Sequence, residues 1–145
     1  MTRWTIDASV AVKWFIPEIH TEAAGAWFDL DYDLMVPDLI YAEIGNILWK
    51  KFRHDELSSK EAEAVCQGIA AVPFRVWPAK ELLGVALDLA MALNRTVYDC
   101  IYLAVAIGLD APLVTADRKL FRSIKAGPFA THVHWLEEKP PARRS

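Results

Sequence analysis

Five short segments of the chain combine apolar and β-branched residues over only three or four positions. Each is followed within two residues by a proline or an acidic residue. Segments of this length and composition predict buried β-strands. They lie at residues 3–6, 34–36, 74–77, 112–115 and 133–136.

The segments between these strands carry apolar residues at helical spacing. Ser58 and Glu61 form a capping-box pattern at the start of one predicted helix. Ser9 and Asp38 are candidate N-caps for two others. The predicted helices cover residues 10–15, 21–30, 39–53, 58–71, 79–93, 98–107 and 118–124.

The alternation of short apolar strands with helices predicts an α/β fold with a parallel sheet of four to five short strands. Strands that are apolar on both faces indicate that helices cover the sheet on both sides. A chain of 145 residues has the length of one domain. In such folds, ligands bind beyond the carboxyl ends of the strands, so chemistry is expected at that edge.

Composition narrows the function classes. Hydrophobic residues make up 54% of the chain, which excludes a disordered or low-complexity protein. The formal net charge of −3 excludes a generally basic nucleic-acid binder, although a local basic face stays open. Cys66 and Cys100 form neither a disulfide framework nor a zinc motif, which favours a reducing, cytoplasmic compartment. No apolar run has the length of a membrane span, and none near the N-terminus resembles a signal peptide.

Four acidic residues stand apart from the polar stretches that hold most of the others. Asp7 and Asp117 follow the first and fourth predicted strands, whose carboxyl ends share one edge of a parallel sheet. Glu43 and Asp99 lie within apolar helices that offer no basic residue three or four positions away. Only Arg95 comes close, and it is predicted to precede the helix of Asp99.

Carboxylates in apolar surroundings are costly unless they are paired, protonated or bound to a metal ion. Each one alone could be a helix cap or part of a buried salt bridge. Together they favour one acidic pocket, in which a divalent cation would offset their mutual repulsion. Oxygen ligands without His or Cys favour Mg²⁺ or Mn²⁺, which commonly serve phosphate chemistry.

These residues, in this order, resemble the PIN-domain ribonucleases, and in particular the toxins of VapBC-type toxin–antitoxin pairs. The resemblance spans residues 5 to about 136. It is carried by the segments IDASV at residues 6–10, PDL at 37–39 with Glu43 and Asn46, YDCIYLA at 98–104 and LVTAD at 113–117. Each segment alone is weakly specific, whereas four in order make a specific signal.

The resemblance implies a PIN-like three-layer α/β/α sandwich, with one domain over residues 1–137 and a polar tail over 138–145. It implies a Mg²⁺-dependent endoribonuclease, with Mn²⁺ as the other cation that fits, acting on RNA as the toxin of a toxin–antitoxin pair. It also implies a homodimer that a small VapB-like antitoxin neutralises.

The resemblance also assigns roles to residues. The catalytic set is Asp7, Glu43, Asp99 and Asp117, of which all but Glu43 are expected to bind metal. Orienting roles fall to three polar residues near these acids: Ser9 for Asp7, Thr115 for Asp117 and Asn46 for Glu43. Cys100 departs from the pattern, because a small residue such as alanine is usual there, but it leaves the catalytic set intact.

RNA requires cations near its phosphates. Basic residues close in sequence to the four acids are candidates for this contact, and each could equally be an ordinary surface residue. They are Lys13, Arg95, Arg118, Lys119 and Arg122.

Two alternatives to a nuclease stay open. The first is an interaction module that keeps the fold without the chemistry, although the intact acid set argues against it. The second is an aspartyl-phosphate phosphotransferase. Such enzymes place a second Asp two residues after the nucleophile or a Lys after a late strand, whereas this chain has Ser9 and Asp117 at those places.

Overall fold

The computed structural model describes residues 2–140 and contains a five-stranded sheet in the order β3-β2-β1-β4-β5. Every neighbouring pair of strands in this sheet is parallel. The strands are β1 (Arg3–Ile6), β2 (Asp33–Pro37), β3 (Arg75–Trp77), β4 (Leu113–Thr115) and β5 (Val133–Trp135). The predicted parallel sheet of four to five short strands is therefore confirmed.

Seven α-helices connect the strands within the described residues. They are α1 (Ala8–Ala11), α2 (Thr21–Gly25), α3 (Leu39–Arg53), α4 (Ser59–Ala71), α5 (Ala79–Leu93), α6 (Val97–Gly108) and α7 (Arg118–Lys125). The helix predicted over residues 10–15 is a short α1 followed by a 3₁₀ turn, Val12–Trp14. A second 3₁₀ turn, Ala130–His132, precedes β5.

The two faces of the sheet pack against different helices. Trp4 of β1 contacts the ring of Trp27, which follows α2, with ring centroids 4.8 Å apart. Met35 of β2 packs in a separate cluster with Val105 of α6. Trp4 is in register with Leu34, and side chains alternate along a strand, so Trp4 and Met35 point to opposite faces. The sheet is the middle layer of an α/β/α sandwich, as predicted.

The second helix is shorter than the sequence predicted. The pattern favoured a helix over residues 21–30, whereas α2 ends at Gly25. Trp27 is fully buried, and its Nε1 donates a hydrogen bond to the carbonyl oxygen of Leu136 at 2.8 Å. Because this hydrogen bond holds the indole beside the end of β5, the backbone leaves the helical conformation before Trp27. The two residues are more than a hundred positions apart in the sequence, so the local pattern of apolar residues cannot indicate their contact.

The two predicted N-caps, Ser9 and Asp38, act differently from expectation. Asp7 is the N-cap residue of α1, and Ser9 lies inside that helix. Asp38 stands at the N-cap of α3 without capping it through its side chain. Its Oδ1 instead accepts a hydrogen bond from the backbone N–H of Ala79, 3.0 Å away at the start of α5. Asp38 thus joins two helices that are distant in sequence.

No single helix in residues 2–140 is long and apolar enough to cross a membrane. Helices α5 and α6 meet the length and composition criteria only as a pair, across a bend of 114°.

Replacing Gly68 with alanine is expected to lower the free energy of unfolding by about 1–2 kcal/mol. A Cβ atom at Gly68 in α4 would lie 2.5 Å from Cε1 of Phe15, so the ring must move. Gly84→Ala in α5 is the matched control, because no atom of the described residues lies within 4 Å of its Cβ. That variant gains helix propensity of about 1 kcal/mol without a clash. Urea denaturation measures both, and equal stabilisation would contradict the packing of Phe15 on α4.

Candidate active site

Acidic side chains gather where β1 and β4 end. These strands are adjacent and parallel, with Ile6 in register with Val114. Asp7 directly follows β1, and Asp117 lies two residues beyond β4. The backbone N–H of Asp7 also donates to the carbonyl oxygen of Val114 at 3.1 Å. Both residues therefore lie at the carboxyl edge of the sheet, as the sequence predicted.

Two hydroxyl groups hold the Asp7 carboxylate. Ser9 Oγ donates to Asp7 Oδ2 at 2.7 Å. Thr115 Oγ1, which the resemblance assigned to Asp117, donates to the same Asp7 oxygen at 2.8 Å. Asp7 is only 8% exposed and Thr115 is fully buried. With one oxygen bound by two donors in a packed environment, the orientation of the Asp7 carboxylate is fixed.

The same hydroxyls connect the loops after β1 and β4. Ser9 Oγ accepts a hydrogen bond from the backbone N–H of Ala116 at 3.0 Å. Thr115 Oγ1 accepts one from the backbone N–H of Asp117 at 3.0 Å. Asp117 in turn caps α7, because its Oδ1 accepts from the backbone N–H of Leu120 at 3.1 Å. The network therefore sets the relative position of the Asp7 and Asp117 backbones.

Glu43 reaches this edge from α3, where it is partly buried. The hydroxyl of Tyr102 on α6 donates to Glu43 Oε2 at 2.8 Å. Burial raises the pKa of Glu43 to about 7, the Tyr102 hydrogen bond opposes that rise, and the charges of Asp7 and Asp99 add to it. Glu43 is therefore a carboxyl group that can exchange a proton near neutral pH.

Asp99 lies in the first turn of α6. The N-cap of that helix is Thr96, whose Oγ1 accepts a hydrogen bond from the Asp99 backbone N–H at 3.1 Å. The Asp99 carboxylate is paired with Arg95, with Nη2 and Oδ2 2.8 Å apart. Arg95, the nearest basic residue that the sequence offered, precedes α6 as predicted, and its side chain nevertheless reaches the Asp99 carboxylate.

Electrostatic repulsion links the four carboxylates. Burial raises the pKa of Asp7, the hydrogen bonds from Ser9 and Thr115 oppose this, and the charges of Asp99 and Asp117 add to the rise. The charges of Asp7 and Asp99 likewise add to the rise in the pKa of Glu43. Within residues 2–140, however, no three Asp, Glu, His or Cys side chains are arranged so that they could hold a metal ion. The acids share one region without forming a closed ligand set.

Residues 5–126 match the family model described as the PIN domain. The chain belongs to the PIN domain family. It is 31% identical over 123 residues to the protein named Ribonuclease VapC3 from Pyrobaculum aerophilum, covering 83% of this chain and 94% of that relative. The family resemblance predicted from the sequence is thereby confirmed.

Solved structures show the same fold. The crystal structure of PAE2754 from Pyrobaculum aerophilum has a TM-score of 0.65 and 24% identity, covering 94% of this PIN domain chain and 85% of that chain. A chain of a toxin–antitoxin complex from Klebsiella pneumoniae has a TM-score of 0.61 and 15% identity, covering 90% of this chain and 95% of that chain.

Tyr102 is the residue at this edge of the PIN domain that sequence analysis missed. It is 2% exposed, and burial together with the neighbouring charges of Asp7 and Glu43 raises the pKa of its phenol. Asn46, predicted to orient Glu43, is exposed on α3, whereas Tyr102 makes the hydrogen bond to Glu43. The available signal was a tyrosine within the apolar part of α6, since a buried tyrosine hydroxyl needs a partner.

The basic residues of the PIN domain divide by environment. Lys13 is buried and paired with Glu18, with Nζ and Oε2 3.3 Å apart, which leaves it poorly placed for RNA. Arg118 is exposed and its guanidinium lies 4.2 Å from the ring centroid of Trp135. Lys119 and Arg122 are exposed on α7, which starts directly after Asp117.

Proposed function

We propose that this chain is a metal-dependent endoribonuclease, the toxin of a toxin–antitoxin pair. It hydrolyses RNA phosphodiester bonds at the carboxyl edge of the sheet, where Asp7, Glu43, Asp99 and Asp117 form what we call the acidic edge. The observation that carries the proposal is the convergence of these four carboxyl groups from four different elements: the charges of Asp99 and Asp117 act on Asp7, and those of Asp7 and Asp99 act on Glu43. Membership of the PIN domain family and the relative named Ribonuclease VapC3 support RNA as the substrate.

The donor chemistry of this edge fits a divalent cation. The groups are carboxylates and hydroxyls, which match the oxygen preference of Mg²⁺ and Mn²⁺. Burial raises the pKa values of Asp7 and Glu43, repulsion from neighbouring acids raises them further, and a bound cation would relieve that repulsion. Asp7, Asp99 and Asp117 are the residues we propose as ligands, with Mg²⁺ as the cation and Mn²⁺ as its substitute. Because no three acidic side chains in residues 2–140 already enclose an ion, binding would draw these carboxylates together. When bound, the cation would stabilise negative charge on the phosphoryl oxygens.

The protein's own groups have distinct proposed roles. Ser9 and Thr115 fix the orientation of Asp7 through hydrogen bonds of 2.7 and 2.8 Å. Glu43, with a pKa of about 7, accepts a proton from the attacking water at neutral pH. The Tyr102 hydroxyl holds the Glu43 carboxylate in place for that transfer.

Substrate contact is proposed for Arg118 and Lys119. Both are exposed and follow Asp117 at the start of α7, so they can meet phosphates that approach the acidic edge. Arg118 is also stacked on Trp135, which limits the conformational freedom that the side chain would lose on binding RNA.

We propose two protein partners, a VapB-like antitoxin and a second copy of this chain. The antitoxin is supported by the structural similarity to a chain of a toxin–antitoxin complex. Partners could pack on the apolar side chains that α3 and α5 expose. These include Trp49, Phe52, Leu83 and Met91. Light scattering of the purified protein, alone and co-expressed with the antitoxin, measures both assemblies.

The free thiols of Cys66 and Cys100 suit a cytoplasmic location.

The test is cleavage of mixed total RNA by purified protein with Mg²⁺, with Mn²⁺ and with EDTA. We expect metal-dependent cuts that Asp99→Asn reduces at least about a hundredfold. Asp88→Asn, on the exposed side of α5, is the control and should cut at the wild-type rate.

Equal cutting by the wild type and Asp99→Asn would mean that another nuclease contaminates both preparations. An absence of cutting under every condition would favour the alternative function, a PIN-fold interaction module without catalysis.

A further inference from the structure

The side chain of Arg95 forms an ion pair with the carboxylate of Asp99. Arg95 lies in the short loop between α5 and α6, after Asn94, which ends α5 in the left-handed conformation with φ of 54°. The backbone N–H of Arg95 donates to the carbonyl oxygen of Ala90 at 3.3 Å, which fixes the start of its side chain. From there Nη2 reaches Asp99 Oδ2 at 2.8 Å. The loop therefore delivers a positive charge to one of the four acids.

Among residues 2–140, Arg95 is the one basic side chain that forms an ion pair with any of these acids. Lys13 pairs with Glu18, and Arg118 stacks on Trp135. The carboxylate of Asp99 repels both Asp7 and Glu43, so its neutralisation matters for the whole cluster. Arg95 thus supplies positive charge at the place where a cation is proposed to bind.

The contact between Arg95 and Asp99 is not an optimal ion pair. It consists of a single hydrogen bond from Nη2, whereas guanidinium and carboxylate groups can form two parallel bonds. The Nε atom of Arg95 is buried without a hydrogen-bond partner among the described residues. The two side chains are 24% and 26% exposed, so solvent and ions reach the pair. An ion pair of this kind contributes little stability and can be displaced.

We infer that Arg95 is the resident counter-ion of Asp99 and that it competes with the divalent cation for the Asp99 carboxylate. The inference rests on the metal site of the proposed function. In the metal-free protein Arg95 neutralises Asp99, and binding of the cation must break this ion pair. Arg95 therefore sets the concentration of divalent cation at which the acidic edge is filled.

The experiment measures the dissociation constant of Mn²⁺ by electron paramagnetic resonance, with purified protein and no RNA. Arg95→Gln is expected to bind Mn²⁺ about fivefold more tightly than the wild type, the factor that a partly exposed ion pair contributes. Arg95→Lys keeps the charge and is expected to stay near the wild-type value. Asp99→Asn is expected to bind more weakly than the wild type.

The matched control is Arg75→Gln. Arg75 also pairs with an aspartate, its Nε 3.3 Å from Asp33 Oδ1, but both residues begin strands and so lie at the amino edge of the sheet. This variant changes the net charge as Arg95→Gln does, and its Mn²⁺ affinity should equal that of the wild type. Melting temperatures measured without metal show that each variant folds.

Three results would overturn the inference: unchanged affinity in Arg95→Gln, weaker affinity in that variant, or no Mn²⁺ binding by the wild type at millimolar concentrations. Arg95→Gln and Arg75→Gln tightening equally would also overturn it, because the effect would then be one of net charge. Tighter binding in Arg95→Gln without RNA cleavage by the wild type would support the role of Arg95 and reject the nuclease.

Discussion

Replacing Asp7 with asparagine is expected to reduce metal-dependent RNA cleavage at least about a hundredfold while raising the free energy of unfolding by about 1–2 kcal/mol. The carboxylate is buried, and burial together with Asp99 and Asp117 raises its pKa, so its ionised form destabilises the fold at neutral pH. Asparagine has nearly the same shape, and its amide oxygen can accept the hydrogen bonds of Ser9 and Thr115. The charge that the proposed metal site needs is lost, whereas the packing is kept.

Two measurements on the same preparations test this expectation. RNA cleavage with Mn²⁺ reports activity, and urea denaturation in EDTA reports the free energy of unfolding. Asp88→Asn makes the same chemical change at an exposed position of α5 and should alter neither quantity. If Asp7→Asn proves less stable than the wild type, the ionised carboxylate stabilises the loop through its hydroxyl partners, and the repulsion among the acids is small.

The placement of Asp7 and Asp117 could be predicted because it depends on strand order and direction. A residue that follows a buried strand lies at the carboxyl edge whatever packs around it. The capping box formed by Ser58 and Glu61 was equally predictable, because both of its hydrogen bonds are made within four residues. Interactions that are local, or that topology imposes, leave a signal in the sequence.

Contacts between distant elements could not be predicted in this way. The hydrogen bond from Tyr102 to Glu43 joins α6 to α3, and nothing near either residue in the sequence indicates the other. The indole of Trp27 ends α2 early through a contact with the last strand region, which local periodicity does not register. The pair of Arg95 and Asp99 is local, but it depends on how the loop after Asn94 turns, and that conformation is not visible in a helical pattern.

The buried and mutually repelling carboxylates of the acidic edge lower the stability of the folded protein. Two of its carboxyl groups, Asp7 and Glu43, have pKa values raised first of all by burial, and each is raised further by its acidic neighbours. Three hydroxyl donors, Ser9, Thr115 and Tyr102, offset part of this cost by hydrogen bonding to the charged forms. Such an arrangement is typical of a functional site.

In EDTA, the titration of Glu43 is expected to lower the free energy of unfolding of the wild type as the pH rises from about 5 to about 8. The pKa of Glu43 is about 7 in the folded protein, above its ordinary value of 4.5. Between these two values the folded state therefore holds a proton that the unfolded state has released, and raising the pH favours unfolding. The full shift corresponds to about 3 kcal/mol, and because Glu43 is partly exposed we expect about half of that.

Urea denaturation across this pH range, on the wild type and Glu43→Gln, isolates the contribution, because the glutamine variant cannot titrate at this position. Its stability should fall less steeply, and the difference between the two curves belongs to Glu43. Tyr102→Phe removes the hydrogen bond that lowers the pKa of Glu43, so its decline should extend to higher pH. Adding Mn²⁺ at about pH 8 should restore stability to the wild type by binding the folded state. Identical slopes for the wild type and Glu43→Gln would show that Glu43 is already ionised at about pH 5 and is no proton acceptor near neutrality.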